Sequence, residues 1–236
     1  MDSFDPWVEV IADSLRHNVR ELHRYSGRRL MAVTKNNANG IGIRQVGPIL
    51  DGMDEVAGLA VVRVSEALAL REAGVRKPIL FMAHAAGDEA VALVRHGVRL
   101  TPFHDDSAER FGELAGRVGH PIPVHVFVDS GMNRIGMPHD RAVDWVAGLA
   151  RSGAVTIEGT YTMFSGAIRD GEPFDLEHMR RFLAVVDELR ARGVDPGLLH
   201  GAPSDQLVRT PVLHALDLIR PGGAIYGLNE YRARPS

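Results

Sequence analysis

An alternation constrains this chain more than any other feature. Short runs of Val, Ile and Leu recur along its length, and amphipathic stretches with helical spacing separate them. The runs are Leu30–Thr34, Val56–Val61, Pro78–Met82, Val98–Thr101, Pro123–Val128, Thr156–Phe164, Leu198–Gly201 and Leu216–Ile219. Runs this continuously apolar read as strands covered on both faces, as in a parallel sheet. The stretches between them carry helix signals. Ser65-Glu66 opens one with Ala67, Leu68 and Leu70, closed by Gly74. Asp140 precedes Val143, Val146 and Leu149, with Gly153 after, and Asp175 precedes Leu176, Met179, Leu183, Val186 and Leu189, with Gly193 beyond. A polar cap, a 3.6-residue period and a closing glycine come in the order a helix needs. Eight such units without a dinucleotide fingerprint predict a single-domain α/β chain folded as a (β/α)8 TIM barrel, and 236 residues suit that architecture. Residues 1–28 read as a lead-in: a strand at Trp7–Ile11, then a helix capped by Asp13 or Ser14 with Leu15, Val19 and Leu22 on one face. Residues 228–236 read as a short polar tail.

Composition excludes several functions. A net charge of −3 without a basic stripe speaks against nucleic acid as a partner. Cysteine is absent, which removes disulfides and thiolate metal sites, and no metal site is expected among the 11 scattered histidines. No apolar stretch is long enough to span a bilayer, and the first residues lack the pattern of a signal peptide, so a cytoplasmic setting is expected. Nor is there a phosphate-binding Walker loop, a His-Glu-x-x-His helix or a Gly-x-Ser-x-Gly elbow.

Of 27 Lys and Arg residues, only Lys35 and Lys77 are lysine. Such a preference for Arg raises the question of what Arg cannot do at those two positions. An amine can condense with a carbonyl, and a guanidinium cannot readily do so. Lys77 precedes Pro78 at the start of a strand and reads as a surface charge. Lys35 ends the first apolar run, and in an α/β barrel the C-terminal ends of the strands carry the active site. It is followed by Asn36-Asn37-Ala38-Asn39-Gly40, residues that tolerate unusual dihedrals. A surface charge and a functional amine are both open for it on these grounds.

Three further segments follow other strands at the same face. His200-Gly201-Ala202-Pro203-Ser204 comes after the seventh run and Arg220-Pro221-Gly222-Gly223-Ala224-Ile225-Tyr226-Gly227 after the eighth, where such barrels commonly bind phosphate. Glycine lets backbone N–H groups approach a phosphate, and Ser204 adds a hydroxyl donor; alone, Gly222-Gly223 reads as a turn. After the fifth run, Asp129-Ser130-Gly131-Met132-Asn133-Arg134-Ile135-Gly136 presents Arg134, which could grip a carboxylate through two N–H groups or simply be solvated.

Together these four segments resemble the alanine racemases. That family carries Lys-x-Asn-Ala after the first strand, Asp-Thr-Gly-Met-x-Arg-x-Gly after the fifth, His-x-x-x-Ser after the seventh and Arg-Pro-Gly-x-x-x-Tyr-Gly after the eighth. The resemblance covers essentially the whole chain. It implies a pyridoxal 5′-phosphate (PLP) enzyme acting at Cα of a small amino acid, most simply an amino-acid racemase. It implies that Lys35 is the Schiff-base lysine and proton carrier, and that Ser204, Gly222 and Gly223 bind phosphate. Arg220 would face the pyridine nitrogen, with His200 orienting it, and Arg134 would reach the phenolate oxygen and the substrate. Asn39 and Tyr226 complete the implied cofactor set. An Arg at the pyridine nitrogen leaves the ring unprotonated and a weaker electron sink, which disfavours side reactions such as transamination.

The sequence also departs from the family. Asn39-Gly40-Ile41 stands where the family has Tyr-Gly-His, Phe127 where it often has a modified lysine, and Met163 where it has a His. The family's C-terminal β domain, which supplies a catalytic Tyr to the neighbouring subunit, has no counterpart in these residues. A second base would come from a homodimer or from a separate chain supplying that domain. Other readings keep the barrel and change the chemistry: one-base PLP reactions such as decarboxylation or aldol cleavage, a single-domain PLP carrier without turnover, or a cofactor-free lysine aldolase.

Overall fold

The computed structural model describes residues 9–164, 168–169, 172–173, 175–204, 207 and 215–228. Nine strands form one parallel sheet. They are β1 (Arg29–Val33), β2 (Val56–Val61), β3 (Ile79–Phe81), β4 (Val98–Arg99), β5 (Ile122–Asp129), β6 (Met137–Pro138), β7 (Val155–Tyr161), β10 (Leu198–Gly201) and β11 (Leu218–Ile219). Between β7 and β10, β8 (Ile168–Arg169) and β9 (Glu172–Pro173) pair antiparallel with each other. The sheet runs β4-β3-β2-β1-β11-β10-β7-β5-β6. A parallel bridge between Leu100 and Val124 joins the β4 side to β5 and closes the ring. Leu100 N–H donates to the Pro123 carbonyl at 3.1 Å, and His125 N–H donates to that of Leu100 at 3.0 Å. The result is the expected (β/α)8 barrel of one domain, with β6 as a short addition beside the end of β5.

All eight expected strands form, with ends that shift by at most three residues. The fourth shrinks to two residues: Leu100 makes only an isolated bridge, and Thr101 turns its hydroxyl to the Phe81 carbonyl at 3.0 Å. No strand forms at residues 9–11, and Trp7 and Val8 lie outside the described residues. The first helix, Ala12–Ser26, has Ile11 at its N-cap; Asp13 instead sits in the first turn and pairs with Arg16 at 3.0 Å. Asp140 likewise falls inside the helix His139–Arg151, whose N-cap is Pro138. The closing glycines do act as read, with φ of 86° at Gly74, 68° at Gly153 and 73° at Gly193. Most of the 228–236 tail lies outside the described residues.

Ring closure buries one strand face in the barrel interior and the other under the helices. Met31, Ala60, Leu80, Phe127, Tyr161 and Leu218 form a separate buried cluster within the larger core. This cluster floors the cavity at the C-terminal ends of the strands. Among the described residues no helix is long and apolar enough to cross a membrane.

Candidate active site

The loop after β1 is built to hold Lys35 at a strand end. Four successive residues, Asn36, Asn37, Ala38 and Asn39, have φ of 57°, 53°, 54° and 55°. This is a left-handed turn, which costs an ordinary residue roughly 1–2 kcal/mol and which, glycine aside, Asn tolerates best. Its partners offset the cost. The Asn37 N–H donates to Glu66 Oε1 at 3.0 Å, and Asn37 Oδ1 accepts the Ile43 N–H at 2.9 Å. Glu66 is itself 5% exposed, and its Oε2 accepts the N–H groups of Val62 (3.3 Å) and Arg63 (3.1 Å). Ala38 is fully buried and pins the turn to the core. Lys35, half-buried, is left lining a cavity of about 1150 Å³.

Lys77 is at the opposite end of the barrel. It is more than the surface charge expected from sequence: half-buried, it donates Nζ to the Met53 carbonyl, and its backbone N–H reaches Asp51 Oδ1 at 2.8 Å. Lys35 is therefore the single lysine of the cavity.

Ser204 and the Gly222-Gly223 segment meet on one wall. Ser204 Oγ accepts the N–H groups of Gly222 at 3.0 Å and Ala224 at 3.1 Å, and Ser204, Gly222 and Gly223 all line the cavity. Tyr226 does not line it; its hydroxyl donates to the Val33 carbonyl at 3.3 Å, tying the β11 loop to β1. Asn39 does face the cavity, from the exposed end of the left-handed turn.

Arg220 is buried at the end of β11 and lines the cavity. It donates Nη2 to the Thr162 carbonyl at 2.7 Å and Nη1 to Met82 Sδ at 3.3 Å. Its guanidinium lies 4.5 Å from the Tyr161 ring centroid, and its Nε is buried without a partner. Burial pushes its pKa down to about 10, so it stays charged at neutral pH. No direct hydrogen bond joins His200 to Arg220. His200 Nε2 pairs with His125 Nδ1 at 2.7 Å, and its ring stacks at 4.8 Å on Tyr161, which lies against Arg220. Phe127 also stacks on Tyr161, at 4.6 Å.

Asp129 shapes the Arg134 loop by accepting the N–H groups of Gly131 (2.9 Å) and Asn133 (3.1 Å) on Oδ1. Arg134 ends exposed at the cavity rim beside Met163 Sδ, with no carboxylate partner among the described residues. Sequence reasoning did not single out Tyr161, nor His84, His104 and Arg110, which line the same cavity. Tyr161 had one available signal, a hydroxyl-bearing ring inside an apolar strand.

The model of the alanine racemase N-terminal domain matches residues 10–230. The chain belongs to that family. It is 33% identical over 225 residues to the alanine racemase of Desulforamulus reducens, covering 94% of this chain and 60% of that protein. It is 30% identical over 233 residues to that of Methanococcus maripaludis, covering 97% and 61%. Among solved structures, the alanine racemase of Bacillus anthracis with bound L-Ala-P superposes with a TM-score of 0.84 at 29% identity, over 98% of this chain and 60% of that one. For the Clostridium difficile alanine racemase the TM-score is 0.82 at 26% identity, over 91% and 56%. The chain thus spans about 60% of the length of the family members it matches.

Proposed function

We propose that this cavity binds pyridoxal 5′-phosphate and that Lys35 moves a proton at Cα of a small amino acid, as an amino-acid racemase does. One observation carries the reading. The cavity's single lysine shares its walls with the hydroxyl and backbone amides of Ser204, Gly222 and Gly223, and with two arginines that lack a carboxylate partner among the described residues. These residues fit the cofactor. Ser204 and the Gly222-Gly223 segment would hold its phosphate, and the partnerless Nε of Arg220 marks unspent donor capacity for a ring-nitrogen acceptor. Asn39 and Arg134 would close on it from the β1 and β5 sides. His200 and Tyr226 act at one remove, His200 by supporting Tyr161 beneath Arg220 and Tyr226 by holding the β11 loop to Val33.

When bound, the cofactor supplies an electron sink for the charge left at Cα. The chain's own residues do the rest. Lys35 takes and returns the proton, Arg134 orients the substrate carboxylate, and Arg220 keeps a positive charge where a protonated ring would otherwise carry one. The reading includes a cytoplasmic setting, a small amino acid as substrate, and a homodimer as the assembly.

Borohydride treatment of the PLP-loaded protein followed by peptide mapping tests it. The cofactor should be fixed on Lys35; fixation on Lys77 alone, or none, would overturn the proposal. Deuterium exchange at Cα of added amino acids then separates an enzyme from a carrier, because cofactor uptake with no exchange of any amino acid would leave only binding.

A further inference from the structure

A second polar cluster stands in the same cavity, away from the cofactor wall. His84 follows β3, His104 follows β4, and Arg110 lies on the helix Ser107–Val118 behind them. In the ring, β3 and β4 stand four strands from β10 and β11, which carry Ser204, Gly222 and Gly223. Four strands in eight is diametrically opposite. A molecule reaching from the cofactor wall past Lys35 would therefore meet this cluster with its far end.

Its charge is only loosely matched. Arg110 donates Nη2 to His84 Nε2 at 2.8 Å. A nitrogen that accepts from a guanidinium carries no proton, so His84 is neutral and its remaining N–H is on Nδ1. Burial and the neighbouring Arg110 and His104 both hold its pKa below the usual histidine value. The nearest carboxylate to Arg110 is Asp106, at 3.8 Å and more than half exposed. Arg44–Glu72 and Arg117–Asp88, by contrast, close to 2.5 and 2.6 Å. The His104 ring stands edge-on to His84 at 5.1 Å, and its carbonyl is fixed by Trp145 Nε1 at 2.9 Å, so the cluster is held in place.

Lys35, Arg110, Arg134 and Arg220 line the cavity, and no Asp or Glu does among the described residues. On the reading above, Lys35 joins the cofactor, Arg220 faces its ring nitrogen and Arg134 takes the substrate's α-carboxylate. Arg110 is left over. We infer that Arg110, with the Nδ1–H of His84, binds a second carboxylate at the end of the substrate side chain, so that the preferred substrate is an acidic amino acid rather than alanine. This rests on the proposed function for the α-carboxylate and the reacting Cα, but the anion site itself does not.

The test has two arms. In the cofactor-free protein, histidine ring resonances are titrated by NMR with and without glutarate. Glutarate should raise the His84 pKa saturably, and Arg110→Ala should abolish the effect; no change at His84 would overturn the inference whatever Lys35 does. With cofactor loaded, Cα exchange is compared for aspartate, glutamate and alanine. One of the acidic pair should exceed alanine in kcat/KM by at least about tenfold, and Arg110→Ala should lower the acidic-to-alanine ratio roughly ten- to a hundredfold, the scale of a lost charged hydrogen bond. Equal losses for alanine and the acidic substrates would make Arg110 the α-carboxylate clamp and overturn the assignment. Failure of cofactor fixation at Lys35 would instead count against the proposed function, while the glutarate titration still decides the anion site.

Discussion

The buried carboxylate of Glu66 accepts the backbone N–H of Asn37 at 3.0 Å, two residues from Lys35. Through its other oxygen it holds the start of its own helix, so one side chain couples the β2 loop to the turn that presents the amine. Glu66→Gln replaces an acceptor by an NH2 group facing backbone donors. The variant should lose about 2 kcal/mol in urea unfolding, in line with losing hydrogen bonds to a charged group. Slower borohydride-trapped loading of Lys35 should accompany the loss. A variant as stable as the parent and loading at the same rate would show that the left-handed turn stands without Glu66.

Ser204 has two duties, and one substitution removes both. Its Oγ accepts two backbone N–H groups, and its own proton remains for an acceptor in the cavity. Ser204→Ala removes that donor and releases the Gly222 and Ala224 amides. Cofactor affinity, read by equilibrium titration of absorbance, should fall roughly ten- to a hundredfold, the cost of losing a charged hydrogen bond at about 1.5–3 kcal/mol. Unchanged affinity would put the phosphate elsewhere.

The barrel was legible because parallel strands are covered on both faces, which writes them as unbroken runs such as Val56–Val61. Lys35, Arg134, Ser204 and Arg220 were legible because each follows a strand on the side where the loops converge. Contacts made across neighbouring strands were not. His125 and His200 are 75 residues apart and meet only because β5 and β10 flank β7 in the ring. Nothing local in either segment signals that pairing. Arg110 lies on an outer helix, where a lone Arg reads as solvated, and its meeting with His84 depends on how that helix packs.

Gly131 gives a check on the Arg134 loop. Its φ is 139°, and a Cβ there would sit 2.9 Å from His178 Nε2. Gly131→Ala should cost about 1–3 kcal/mol through backbone strain alone. The clash displaces the loop that carries Arg134, so substrate KM should rise while cofactor loading at Lys35 persists. Loss of cofactor loading to the same degree would mean that the Arg134 loop belongs to the cofactor site rather than the substrate side.

Acid should destabilise this protein through the buried histidine pair. His125 is 3% exposed and its pKa is pushed down to about 4 from the usual 6.5, first by burial and then by the charges of Arg99 and Arg220. His200, fully buried, is held low for the same first reason, with His125 and Arg220 adding to it. Above pH 6.5 the folded and unfolded chains are both neutral at these positions, and stability does not depend on them. Below it, the unfolded chain binds a proton that folded His125 refuses until about pH 4, so stability falls across that window. A depression of about 2.5 units corresponds to about 3 kcal/mol by the bottom of it. Urea unfolding of the parent and of His125→Asn at pH 7 and pH 4.5 isolates this contribution from that of the carboxylates, which both proteins share. The variant, unable to titrate there, should lose about 2–3 kcal/mol less than the parent between the two pH values. Parallel losses would mean that the folded protein already accommodates a proton at His125, and that His125 is not the source of its acid sensitivity.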